Sequence, residues 1–234
     1  MPRISTFLGL AAAGCLSLTS PALLAQTAQI AASPQAQLDG ASSAVRRDFT
    51  QFVQYQVQNH AGSAPQGFPL EVADVQDLKD ARIAYGFPVY TVAPADLLAG
   101  RSELRTLAKP TGIWRFVITL ADQPIGLATV EQVNGKWETV AYGAAVMAKD
   151  LDAAMSAYAN PERSNVRVLR IYQAQSDLLE VHGGQGGAAR YAPLHSARQS
   201  LLLQRKGAGD GLLDASELLE PLRAAVKKNL ESAR

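Results

Sequence analysis

The chain has almost no cysteine: the single one, Cys15, lies in the amino-terminal segment. Once that segment is removed no thiol remains, which excludes disulfides, cysteine nucleophiles and thiolate metal sites together. Histidine is equally scarce. His60, His182 and His195 are never three or four residues apart, so no helix presents a two-histidine zinc pair. Neither sign of charge dominates, with a formal net charge of +1, and loss of Arg3 leaves the two in balance. No basic field is present for nucleic acid and no polybasic patch for lipid head groups. Gly-x-Ser-x-Gly is absent, and no Gly-Lys-Ser/Thr follows any glycine run. These absences exclude a serine-hydrolase elbow, a P-loop and a cofactor fingerprint, so no cofactor is expected. No internal repeat occurs.

What is present begins with an export pattern. Arg3 precedes an apolar run from Ile4 to Leu18, and Thr19-Ser20-Pro21-Ala22-Leu23-Leu24-Ala25 then supplies a turn and small residues. Positive start, short apolar centre and small-residue exit are the plan of a secretory signal peptide. A membrane span needs roughly 20 apolar residues, and Ser5, Thr6, Ser17 and Pro21 interrupt this run. Cleavage is expected after Ala25, with Ala28 as an alternative, which places the protein in the periplasm or the medium. Ala12-Ala13-Gly14-Cys15 also resembles a lipoprotein box, under which Cys15 would carry a lipid anchor. No later stretch is expected to span a membrane.

Residues 26–43, rich in Ala, Gln and Ser, read as a flexible leader, and 44–234 as one domain with a C-terminal helical appendage over 193–234. Val45, Phe49, Phe52 and Val53 predict a helix capped by Ser42 or Ser43. Ile83 to Val92 reads as a strand in which Pro88 calls for an edge position or a bulge. Ile113–Leu120, Ile125–Val133 and Trp137–Tyr142 alternate as strands, joined through Ala121-Asp122-Gln123-Pro124 and Asn134-Gly135, an antiparallel meander. A helix follows over Ala144–Tyr158, then strands at Val166–Gln173 and Leu178–His182. Helices are expected over Pro193–Arg205 and Ala215–Leu230, the second kinked or restarted at Pro221. The sum is an α+β fold: a mostly antiparallel sheet of five or six strands with helices on one side.

Three constellations bear on chemistry. Gly209-Asp210-Gly211-Leu212-Leu213-Asp214-Ala215-Ser216-Glu217 resembles the second half of an EF-hand calcium loop, with Asp210, Asp214 and Glu217 as ligands. Lys206 and Ala208 stand where the first and third ligands belong, and Asp214-x-x-Glu217 doubles as a helix capping box. The glycine-rich loop after His182 ends at Arg190, making these two the natural ligand contacts. His182 with Asp177 or Ser176 would be the set for hydrolysis. Trp114, Phe116, Trp137, Tyr142 and Tyr172 are expected to pack on the sheet, or else to form an aromatic strip for a peptide or glycan.

The run Lys109-Pro110-Thr111-Gly112-Ile113-Trp114-Arg115-Phe116-Val117, with Asn134-Gly135-Lys136-Trp137, is similar to secreted bacterial proteins of unknown function, loosely from Gly86 to Leu203. The resemblance implies an exported α+β protein and no activity. The expected function is a non-catalytic binding or accessory module of the periplasm or envelope with a protein, peptide or glycan partner. A hydrolase using His182 and a lipoprotein anchored through Cys15 are the alternatives.

Overall fold

The computed structural model describes residues 33–100, 103–183, 187–203 and 211–232. The expected signal peptide, Cys15, Lys206, Ala208 and Asp210 therefore lie outside the described residues. The class is α+β, with one mostly antiparallel sheet.

Eight strands form it: β1 (Arg82–Thr91), β2 (Lys109–Leu120), β3 (Gln123–Val133), β4 (Lys136–Gly143), β5 (Val166–Ile171), β6 (Ser176–His182), β7 (Ala189–Pro193) and β8 (Leu213–Asp214). Their spatial order is β4-β3-β2-β1-β5-β6-β7-β8, so two antiparallel blocks of consecutive strands meet back to back. Only the junction, β1 against β5, is parallel. The meander β2–β3–β4 forms as its alternation dictates. Asn134 and Gly135 turn the second hairpin with φ of 51° and 77°, the pair of positive angles that suits the twist of the flanking strands. Ala121 and Asp122 do the same in the first hairpin at 47° and 60°, where Asp122 is a type that tolerates the angle and Ala121 is not.

Helices cover both faces, not the single side expected. The reason lies in strand periodicity: both sets of alternate side chains are apolar. On one face Trp114, Phe116 and Ile118 of β2 pack under α1 (Pro34–Asn59), through Ala41, Ala44, Val45 and Phe49. On the other, Val117 of β2 joins Phe87, Val89 and Leu127 under α4 (Ala145–Tyr158), through Ala148, Leu151 and Met155. The first face continues into the second block, where Leu169, Ile171 and Leu178 pack under α6 (Ala215–Ser232). There α2 (Pro94–Leu98) and α3 (Leu104–Leu107) contribute Leu97, Leu104 and Leu107.

Two further boundaries depart from expectation, whereas Pro88 takes one of the two placements expected of it. The leader is shorter than 26–43, because α1 starts at Pro34 rather than near Val45. Ser33 Oγ accepts from the Ala36 amide and Pro34 occupies the first turn, a stronger start than Ser42 or Ser43 offers. At Gly40 the helix touches β4: a Cβ there would lie 2.6 Å from the Trp137 ring. The C-terminal helices are no appendage. Residues 32–234 form one contact unit; α5 (His195–Ser200) sits at the Ser176 end of β6, and α6 buries Leu218, Leu219, Leu222 and Val226 while running unbroken through Pro221. Pro88 lies in a central strand, accommodated by a register shift between Pro88 and Tyr90.

β4 is the terminal strand, and α1 covers its outer edge. Arg47 donates to the Trp137 carbonyl at 3.2 Å, and Asp48 Oδ2 accepts the Thr139 amide at 2.7 Å. Burial pushes the Asp48 carboxyl up, but the Thr139 amide and Arg47 outweigh it and hold the group below the usual carboxylate range.

Candidate functional site

The seam between the two blocks is paired over two residues of each strand. Its ladder consists of Val89 with Val168 and Tyr90 with Leu169. In that register the next pairs would be Pro88 with Arg167 and Phe87 with Val166, and neither forms. Pro88 has no N–H to contribute. The strands part there and leave a cavity of about 370 Å³. Tyr90, Trp114, Arg167 and His182 line it from the α1 face, Phe87, Met155 and Val168 from the α4 face, and Leu38 of α1 and the 162–164 turn complete the lining.

Its floor holds an ion cluster built by strand register. Arg167 of β5 lies directly across from Glu180 of β6, and His182, two residues on, shares the Glu180 face. Glu180 is completely buried. Arg167 Nη2 reaches both its oxygens, at 2.7 and 2.9 Å, and His182 Nε2 lies 2.5 Å from Oε1. The same Nη2 donates to the Arg105 carbonyl of α3 at 3.0 Å, and the guanidinium lies 5.0 Å over the Tyr90 ring. Nearby Tyr191 is buried in the core; burial first, and the Glu180 charge second, push its hydroxyl well above the ordinary tyrosine range. The buried carboxylate thereby keeps Arg167 and His182 in place.

Of the residues singled out in the sequence, His182 and Trp114 belong to this cavity, and the other candidate catalytic, ligand and metal residues do not join it. Ser176 is six positions away along β6, about 20 Å at strand rise, and its Oγ is 2.7 Å from Ser200 Oγ. Asp177 points to the opposite face, held by Arg170 Nη1 at 2.6 and 2.9 Å and by the Ser196 hydroxyl at 2.8 Å. The expected hydrolytic set is thus not assembled. Arg190 pairs in register with Val181, on the face away from His182. It donates to the Leu212 carbonyl at 2.8 Å and approaches Asp214 at 3.4 Å. Glu217 Oε2 accepts the Asp214 amide at 3.0 Å, the backward arm of a capping box. Among the described residues no cluster of His, Cys, Asp and Glu has the geometry to hold a metal. Four of the five aromatics gather under α1; Tyr172 stands apart, 41% exposed beyond β5.

Arg167 and Glu180 were the residues to find. Their signal was present: charges inside strands otherwise apolar on both faces. Their partnership was not, because it depends on register. A larger hollow, about 560 Å³, lies over α1 and β4, but its Arg47 and Asp48 are committed to the β4 backbone. Among the described residues no helix is long and apolar enough to cross a membrane. Comparison with protein-family models, with curated proteins and with solved structures returns no match to this chain.

Proposed function

We propose that the protein is an exported, non-catalytic binding module whose ligand site is the seam between β1 and β5. One observation carries this reading. The parallel ladder stops at Val89 and Val168 although chain is available on both sides to extend it, and the gap is a concavity rather than packed core. At about 370 Å³ it falls within the range of small-molecule sites, mostly apolar with a few convergent polar groups. The absence of an assembled nucleophile and base around His182 supports binding over hydrolysis.

Amide chemical shifts recorded during a small-molecule screen test the site. Ligands are expected to move the amides of Gly86, Phe87, Val166, Arg167 and His182. Leu38→Trp, which narrows the cavity, is expected to weaken them at least tenfold. Ligands that move only amides elsewhere would overturn the assignment. Export is tested by the intact mass of the protein secreted from a bacterial host. A chain starting after Ala25 or Ala28 is expected; a lipid on Cys15 would replace the free module by an anchored one.

A further inference from the structure

We infer that the ligand is a small carboxylate with an apolar body, an inference that rests on the seam being the ligand site. Arg163, Arg167 and Glu162 are the charged groups along the cavity wall, and two features of the buried cluster behind it favour an anion. First, Glu180 cannot serve a cationic ligand. Both its oxygens are occupied, by Arg167 and His182, in a position closed to solvent. Second, Arg167 is only partly used. Its three hydrogen bonds all leave from Nη2, and its buried Nε has no partner. The side chain keeps 20% exposure and lines the cavity. Nη1 is therefore the donor left for an incoming acceptor, and a guanidinium binds carboxylate more strongly than any neutral acceptor.

The remaining lining sets the body of the ligand. Trp114, Phe87, Met155 and Val168 offer apolar contact on either side of the gap. A compact ionic ligand such as acetate would leave that surface wet, whereas an alkyl or aryl acid fills it while its head meets Arg167.

The test compares octanoate, 1-octanol and octylamine by calorimetry on the exported chain, with amide shifts locating each probe. Octanoate is expected to bind at the seam roughly tenfold or more tightly than octanol, the effect of one charge-assisted hydrogen bond, and octylamine weakest. Arg167→Lys keeps a cation beside Glu180 but removes the guanidinium fork. It is expected to bring octanoate down to the octanol level with the fold intact by circular dichroism. Octanol or octylamine binding at the seam as tightly as octanoate would sink the carboxylate and leave the seam standing. If none of the three moves a seam amide, the seam itself fails and the carboxylate with it. The comparison of probes on the unaltered chain needs no variant to fold.

Discussion

The outer edge of β4 and the seam both leave sheet backbone without a strand partner, and the chain treats them in opposite ways. At the outer edge of β4, Arg47 and Asp48 reach down from α1 and take the carbonyl of Trp137 and the amide of Thr139. At the seam, the same helix contributes only Leu38 to the lining, and the gap stays open. The difference follows from who can reach each place. An outer edge is convex and accessible to another copy's strand, the standard route to edge-to-edge association. The seam is recessed between two blocks, too narrow for a second sheet and wide enough for a small molecule. Covering one and leaving the other open blocks strand pairing at the edge while a gap of small-molecule size persists at the seam.

The largest effect should come from disturbing the seam floor. Arg167→Ala leaves Glu180 buried without its guanidinium, a loss of about 3–5 kcal/mol on the scale for broken buried pairs, read as a lower urea midpoint. The double variant Arg167→Met with Glu180→Met should recover most of it, because no unpaired charge remains. If the single variant is as stable as the unaltered chain, the floor is not the electrostatic unit described here.

Next in size is Gly40→Ala. A Cβ 2.6 Å from the Trp137 ring must push α1 away from β4, at about 1–3 kcal/mol, measured by thermal melting. A neutral result would mean that α1 does not need close approach to guard the edge. A smaller stability effect but a sharper readout belongs to Arg47→Ala with Asp48→Ala. Uncovering the edge should produce concentration-dependent association in sedimentation velocity, which the Arg167 variants should not. A monomeric double variant would erase the contrast between edge and seam.

The smallest effect is a pH dependence. The Asp48 carboxyl titrates below its unfolded value, so its contribution is fully present above the ordinary carboxylate pKa and is lost as pH falls through the lower, folded value. The melting temperatures of the unaltered chain and Asp48→Asn should therefore differ at neutral pH and converge below about pH 4. A gap that stays constant into acid would assign the Asp48 contact no ionic character.

The meander, α4 and the α+β class were readable because their signals are local. Alternation in Ile113–Leu120, the Asn134-Gly135 turn and the Met147, Leu151, Met155 spacing each lie within a few residues. The start of α1 was misread for a local reason too: Ala, Gln and Ser suit a leader as well as a helix, and Ser33-Pro34 was the decisive cap. At the site, His182 stood out beside its glycines, but it drew the wrong company. Ser176 and Asp177 are near in sequence, yet strand geometry sends one to the far end and the other to the far face.

Residue order alone established the meander strands, the Asn134-Gly135 turn and the balance of charge, because a period of two and a pair of positive φ angles are properties of adjacent residues; β7 and β8, too short to show a period, went unread and raise the expected five or six strands to eight. Tertiary structure alone decided that β1 and β5 meet in parallel for two pairs and then part. It alone set Arg167 across from Glu180 and Arg47-Asp48 against β4. Pairing between strands some eighty residues apart is settled by which faces bury together, and no short stretch of chain carries that information.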